Sequence, residues 1–288
     1  MTNAKTIYGI IGYPVEQSLS PFMHNTAFKA LDVDAEYKLF PLEEDELKPF
    51  FDDLREPNNP IFGLNVTVPY KEKVIPYLDG LSAFASRTRA VNTIVISPER
   101  NLAGFNTDGP GFLAHLEELK FNVKDKRIVI LGAGGTTRAI IAALSLLPER
   151  AASIRIYNRT TSKAEELVRS LSESLDVKQI EIVSRPEDLS VERADLLINT
   201  TSVGLKTEDP AIIDENLLHR NMLVYDVIYN PSETKLLKAA KAKGARTANG
   251  LGMLFYQGVL ALQHWAGTEI EPEIKAKMRK SLELRAVV

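Results

Sequence analysis

The 288-residue sequence contains no cysteine. There is therefore no disulfide, no thiolate nucleophile and no cysteine metal site, and nothing calls for an oxidising compartment. Histidine is nearly as sparse. His24, His115, His219 and His264 stand apart without ligand spacing, so no metal is expected. Neither charge dominates: Lys and Arg total 35 against 38 Asp and Glu, a net charge of −3. That balance disfavours a general nucleic-acid or acidic-membrane partner. The start, MTNAKTIYGIIGYP, lacks the basic region, apolar stretch and small-residue cleavage site of a signal peptide. Long uncharged runs are missing, with one near-exception. Asn249 to Thr268 carries no Asp, Glu, Lys or Arg and approaches membrane-spanning length. Its Gln257, Gln263, His264, Gly250, Gly252 and Gly258 read instead as a buried helix crossing a domain interface. The expected location is cytoplasmic.

What is present is an ordinary globular balance, 44% hydrophobic and 25% charged, at a length that predicts two domains. Strand-like and helix-like patterns alternate from end to end, the sign of a parallel α/β architecture. In the first third, TIYGIIG, AEYKLFPL, IFGLNVTVP and AVNTIVIS read as strands. Helical stretches near 21–31, 43–54 and 70–78 lie between them. A second series begins at KDKRIVILGAGG. Its strand 127–131 enters a glycine turn and the helix TRAIIAALSLL, and SIRIY, SKAEELVRSL, IEIV, DLLIN, LVYDV, ETKLLKAAKAKG and ARTA follow. This βαβ run predicts a doubly wound Rossmann-type domain over 108–249. Residues 1–107 with 250–288 are predicted to form an open α/β substrate domain, the uncharged C-terminal helix folding back on it.

In LGAGGTTRA, Gly132, Gly134 and Gly135 stand between a strand and a helix. Glycines there permit a tight turn and close backbone approach to a pyrophosphate at the helix N-terminus. Thr137 stands where the fingerprint has its third glycine. The next strand ends in Asn158-Arg159-Thr160, with Lys163 a helical turn further on. An NAD site usually has an acid here for the ribose hydroxyls. An arginine fork suits a 2′-phosphate, so NADP is expected over NAD. The bland alternative makes Arg159 a solvated loop residue and Thr160 or Ser162 a helix cap.

Polar residues also gather where the first strands end: Ser18 and Ser20 in EQSLSP, Asn65, Thr67 and Lys71 in NVTVPYK, Asn92 in AVNT, and Asp108 in FNTDG. Singly, Ser20 and Asp108 read as helix caps, Asn92 as a turn residue and Lys71 as a surface charge. Across Leu64 and NVTVPYK, the residues Leu64, Val66 and Val68 alternate with Asn65 and Thr67 as one apolar, core-facing edge of a strand. Pro69 then ends the ladder. Together, hydroxyls, amides, one cation and one carboxylate at the carboxyl ends of an α/β sheet suit a small polyhydroxylated ligand.

With GYPVEQSLSP, NVTVPYK, AVNTI, GFNTDGPGF, GAGGTTRA, NRT, NTTSVG, YDVIYNP and NGLGMLFYQG in this order, the chain resembles the shikimate dehydrogenases over nearly its whole length. The resemblance implies NADP-linked interconversion of 3-dehydroshikimate and shikimate in chorismate and aromatic amino-acid biosynthesis. It implies Ser18, Ser20 and Tyr229 at the substrate carboxylate, and Asn65, Thr67, Asn92, Asp108 and Gln257 at the ring hydroxyls. Lys71 and Asp108 become the catalytic pair. For the cofactor it implies Gly132, Ala133, Gly134, Gly135, Thr136, Thr200 and Gly250, with Asn158, Arg159, Thr160 and Lys163 at the 2′-phosphate. Gln17, where the family often has histidine, and the pair Thr136-Thr137, where it has small residues, are departures.

Reducing a ketone needs a hydride on carbon and a proton on oxygen. The cofactor brings the first, so the protein supplies the second. An ammonium group polarises a carbonyl and protonates the alkoxide, which assigns Lys71 as proton donor and Asp108 as its orienter. A quinate or dual quinate/shikimate dehydrogenase using NAD or NADP shares these motifs. A non-catalytic NADP-sensing protein is an alternative of another class, for which keeping both Lys71 and Asp108 has no use. A folate-type dehydrogenase of similar build lacks a reason for the serine pair. The expected partner is a small molecule, with no nucleic acid and no membrane, and the chain a monomer or homodimer.

Overall fold

The computed structural model describes residues 5–286. Residues 1–4 and 287–288, counted above in the N-terminal stretch and the first domain, lie outside the described residues. Two compact units emerge. The first runs to Gly111 and resumes over Leu254–Ala286, and the second spans Phe112–Met253. Both changes of unit fall within the first turn of a helix, rather than at 107/108 and 249/250.

The first unit opens with β1 (Thr6–Gly12), α1 (Ser20–Ala30), β2 (Ala35–Pro41), α2 (Leu47–Asp53) and β3 (Ile61–Val66). Then come β4 (Gly80–Leu81), α3 (Ala83–Thr88), β5 (Thr93–Ile96) and β6 (Leu102–Phe105). The sheet order is β2-β1-β3-β5-β6-β4. It is mixed rather than parallel, because β5 runs antiparallel to both β3 and β6. The reason is local. The connection from β5 to β6 is a tight turn, with Ser97 N–H donating to Asn101 O (2.9 Å), too short for the crossover a parallel pair requires.

Ile7, Ile11, Leu64 and Val66 face one side of this sheet and pack with Leu47 and Phe51 of α2. On the other face Tyr8 meets the rings of Phe28 and Trp265, each at 5.0 Å. Val68, expected in the core, is 65% exposed. The strand has already ended at Val66, and a turn closed by Tyr70 N–H to Thr67 O (2.9 Å) carries Val68 off the sheet. The helix predicted over 70–78 is instead a run of turns with a single 3-10 turn at Ile75–Tyr77. Pro76 breaks the α-helical ladder there and disfavours helical geometry before it.

The helix α4 (Asp108–Glu118) leads into the second unit. There follow β7 (Arg127–Leu131), α5 (Gly135–Leu146), β8 (Ser153–Tyr157), α6 (Thr161–Ser172), β9 (Ile180–Val183) and β10 (Leu196–Asn199). The unit closes with β11 (Leu223–Asp226), α7 (Lys235–Ala242) and β12 (Arg246–Ala248). All its pairs are parallel, in the order β12-β11-β10-β7-β8-β9. That is the doubly wound order, reversing direction between β7 and β10. Leu196, Leu197 and Ile198 are buried on both faces, as strands covered on two sides must be.

The uncharged segment forms α8 (Leu251–Ala266), whose residues from Leu254 onward belong to the first unit. Trp265 on it donates its indole N–H to Ile94 O of β5 at 3.0 Å. A further helix, α9 (Pro272–Ala286), was not anticipated, since charges surround it. Its apolar stripe is narrow, Ile274, Met278 and Leu282 at four-residue spacing, and it packs on α1. Among the described residues no helix is long and apolar enough to cross a membrane.

Candidate active site

Three connections bring the first unit's polar residues to one sheet edge. After the turn that ends β3, the Lys71 carbonyl accepts from Val91 N–H at 2.7 Å, anchoring the lysine beside Asn92. Asn92 precedes β5 rather than ending a strand. Because β5 is antiparallel, its start lies at the same edge as the ends of β3 and β6. After β6, Asn106 Oδ1 accepts the Asp108 N–H (3.1 Å) and its amide donates to Ala90 O (3.0 Å), which sets the entry to α4. Asp108 is the first residue of α4, where the helix dipole favours a carboxylate. Its side chain is turned to the site: Oδ2 accepts from Lys71 Nζ at 2.6 Å and Oδ1 from Asn92 Nδ2 at 2.8 Å. The pair is largely shielded, with side-chain exposures of 13% for Lys71 and 9% for Asp108. A charge-assisted bond this short fixes where the ammonium points.

Asn92 Nδ2 donates to Thr107 Oγ1 (2.9 Å) and Asp108, with Gln257 Oε1 further off at 3.4 Å. Its Oδ1 accepts from Thr107 N–H (2.7 Å) and Thr93 Oγ1 (3.1 Å). Asn92 thus spends both amide hydrogens inside the protein and acts on Asp108. Asn65 Nδ2 likewise donates to Asn92 O (3.1 Å) and Thr93 Oγ1 (3.2 Å), while its Oδ1 accepts the Tyr37 hydroxyl at 2.7 Å. One lone pair on Asn65 Oδ1 is left for a ligand hydroxyl.

Tyr37 was not singled out from the sequence. Burial pushes its phenol well above the ordinary tyrosine value, partly offset by a hydrogen bond with Ser20. Asn25 holds its backbone from both sides, accepting Tyr37 N–H (2.8 Å) and donating to Tyr37 O (3.1 Å). His24 stacks on the Tyr37 ring at 4.6 Å. That histidine is fully buried, neither ring nitrogen has a partner, and burial lowers its pKa to about 3.

Ser20 does not cap α1. It is the first helical residue, buried, with its hydroxyl on Tyr37, and its N–H meets Ser18 Oγ at 3.3 Å. Thr67 sits at the end of β1, its N–H donating to Ile11 O (2.9 Å). Gln257 reaches Asn92 because Gly111 lets α8 approach α4. A Cβ at Gly111 would stand 2.7 Å from the Gln257 backbone nitrogen. Tyr229 belongs to the second unit, in the loop after β11. Burial raises its phenol above the ordinary value.

In the second unit Gly132 adopts φ 111°, a left-handed conformation that favours glycine. Ala133 and Gly134 complete the turn, and Gly135 and Thr136 open α5. The space around a Cβ at Gly134 is empty, so backbone lies open to an incoming phosphate. At the end of β8, Arg159 and Lys163 are exposed, and no acid stands between Tyr157 and Ala164. Asn158 Nδ2 donates to Thr160 O at 2.8 Å. Thr160 is the N-cap of α6, and its side chain makes no capping bond. This set fits a dinucleotide bearing a 2′-phosphate. Thr200 Oγ1 donates to Leu131 O (2.7 Å) and so braces the turn. Gly250 is buried against the backbone of Val227, which accounts for its being glycine.

The missed residues had unequal signals. Thr93, Asn106 and Thr107 lie inside quoted motifs beside residues chosen for chemistry. Tyr37 carries no local mark, because strand pairing alone brings it to Asn65.

A doubly wound sheet with an open glycine turn, alongside a mixed-sheet unit carrying a shielded Lys–Asp–Asn cluster, defines the class: a two-unit α/β chain of the dinucleotide-binding dehydrogenase type. Residues 10–94 match the shikimate dehydrogenase substrate binding domain, and residues 115–224 match the shikimate / quinate 5-dehydrogenase family. The chain is 39% identical over 283 residues to the shikimate dehydrogenase (NADP(+)) of Aquifex aeolicus, covering 98% of this chain and 99% of that one. It is similar to the crystal structure of shikimate 5-dehydrogenase from Thermus thermophilus in complex with NADP(H) and shikimate (TM-score 0.84, 32% identity, 98% and 99% covered). It is also similar to the quinate dehydrogenase of Corynebacterium glutamicum in complex with NAD (TM-score 0.86, 30% identity, 97% and 99% covered). The chain belongs to the shikimate dehydrogenase family.

Proposed function

We propose that this chain catalyses the NADP-linked, reversible reduction of 3-dehydroshikimate to shikimate. The observation that carries the proposal is the shielded Lys71–Asp108 contact at 2.6 Å, with Asn92 holding the second carboxylate oxygen. A hydride acceptor carbonyl placed at this ammonium is polarised, and the alkoxide formed takes its proton from Lys71 Nζ. The hydride itself comes from the nicotinamide of bound NADPH. Asp108, immobilised by Asn92 and by the start of α4, orients the lysine and keeps one carboxylate face toward the neighbouring ring hydroxyl. Asn65, Thr67 and Gln257 read the remaining hydroxyls, and Ser18, Ser20 and Tyr229 receive the carboxylate. Arg159, Lys163, Thr160 and Asn158 take the 2′-phosphate, and the turn from Gly132 to Thr136 takes the pyrophosphate.

The test is spectrophotometric: NADPH formation from shikimate, with quinate and NAD run alongside. Absence of turnover with shikimate in both directions sinks the proposal. A quinate dehydrogenase reading is favoured by the likeness to the Corynebacterium enzyme, and a kcat/KM for quinate with NAD exceeding that for shikimate with NADP would establish it.

A further inference from the structure

Thr137, standing where the dinucleotide fingerprint has its third glycine, has no exposed surface. Its hydroxyl is one link in a directed chain. Thr200 Oγ1 gives its single hydrogen to the Leu131 carbonyl at 2.7 Å. Thr137 Oγ1, 2.7 Å from Thr200 Oγ1, is then the donor between the two hydroxyls. Thr137 Oγ1 in turn accepts the Gly134 N–H at 3.2 Å. Every hydrogen runs the same way, from Gly134 through Thr137 and Thr200 to Leu131. The chain spans the point where strand order reverses, since Leu131 ends β7 and Thr200 follows β10. Gly132 lies directly beneath it: a Cβ there would stand 2.5 Å from Thr200 Oγ1.

We propose that Thr137 and Thr200 are positioning residues for the nucleotide, a hydroxyl latch that ties the glycine turn to the end of β10. The proposal rests on the NADP reading above and deepens it. A glycine at position 137 lets helix and strand pack closely. The threonine fills that space and replaces close packing by two hydrogen bonds. It also commits the Gly134 amide to the latch. The anion is left to the next amides of the first turn of α5, which have no acceptor inside the helix. The latch holds those amides in place before the nucleotide arrives.

Calorimetric titration with NADP, and separately with shikimate, tests this on wild type, Thr137→Val, Thr137→Ser, Thr200→Val and the double valine variant. Loss of one hydrogen bond predicts about five- to tenfold weaker NADP binding for each single valine variant. Thr137→Ser is expected within about twofold of wild type. The double variant loses no more than the worse single one, because both break a single chain. Shikimate affinity holds, and the KM for NADP rises by the same factor while kcat changes less. Folded valine variants that bind NADP like wild type overturn the latch. So do equal losses with serine, or parallel losses in shikimate affinity that mark general damage. Should Thr137→Val not fold, Thr200→Val, at a partly exposed position, carries the same expectation and the same refutation. Failure of wild type to bind NADP at all is a different result, and it removes the cofactor reading itself.

Discussion

Protonating His24 is the perturbation whose effect is best defined by the structure. The ring lies at 0% exposure between Tyr37 (4.6 Å), Trp265 (5.1 Å) and Phe28 (6.4 Å), with no acceptor for either nitrogen. Burial alone takes its pKa to about 3. In the unfolded chain a histidine titrates near 6.5. The folded value is the lower one, so acid drives protons onto the unfolded state first. The stability tied to neutral His24 is therefore complete above about pH 6.5 and is lost as pH falls from there toward about 3. Between pH 7 and pH 5 the unfolded chain holds about 0.7 of a proton on average at this site and the folded chain none. At about 1.36 kcal/mol per pH unit, that costs about 2 kcal/mol. Moving the folded value from 3 to 4 hardly changes the result. Urea denaturation of wild type and His24→Phe at the two pH values isolates the term, since all other titrating groups are shared. His24→Leu serves if the phenyl ring overpacks the site. Wild type should lose about 2 kcal/mol more than the variant. Parallel losses in both proteins would show that His24 is already solvated or paired, and the argument from burial would fail.

Lys71→Met should cut kcat by about 10²- to 10⁴-fold with a smaller change in KM, and a kcat within about tenfold of wild type would move the lysine from proton transfer to binding. Arg159→Ala should raise the KM for NADP by about 10- to 100-fold while leaving that for NAD nearly unchanged, because only the 2′-phosphate contact is lost. Tyr37→Phe removes the hydrogen bond that orients the Asn65 amide, and the KM for shikimate should rise about fivefold with no change for NADP. Equal KM values for shikimate in the two proteins would show that strand packing alone sets Asn65.

The second unit was legible almost element by element. Its strands are parallel and covered on both faces, so they appear as short apolar runs between periodic helices, and the glycine turn marks where the first strand hands over to the first helix. The first unit was less so. The turn at Ser97–Asn101 reverses β5, and that reversal brings Asn92, at the start of a strand, to the edge where β3 and β6 end. The helix α9 escaped notice because a stripe of Ile274, Met278 and Leu282 amid charges is weak evidence of a helix until α1 is there to receive it.

The candidate site residues were also visible, but their duties came only from the family resemblance and not from their local chemistry. Ser20 and Asp108 carry the chemistry of helix caps, and Lys71 that of a surface cation. Sequence alone determined the local structure, because strand and helix periods, proline and glycine act over a few residues through sterics and burial. Only the tertiary structure decided that Asp108 meets Lys71 across 37 positions, that Asn92 spends its hydrogens on Asp108, and that Tyr37 sets Asn65. A buried polar group takes whichever partner the strand order leaves within about 3 Å of it, and that choice belongs to the assembled sheet.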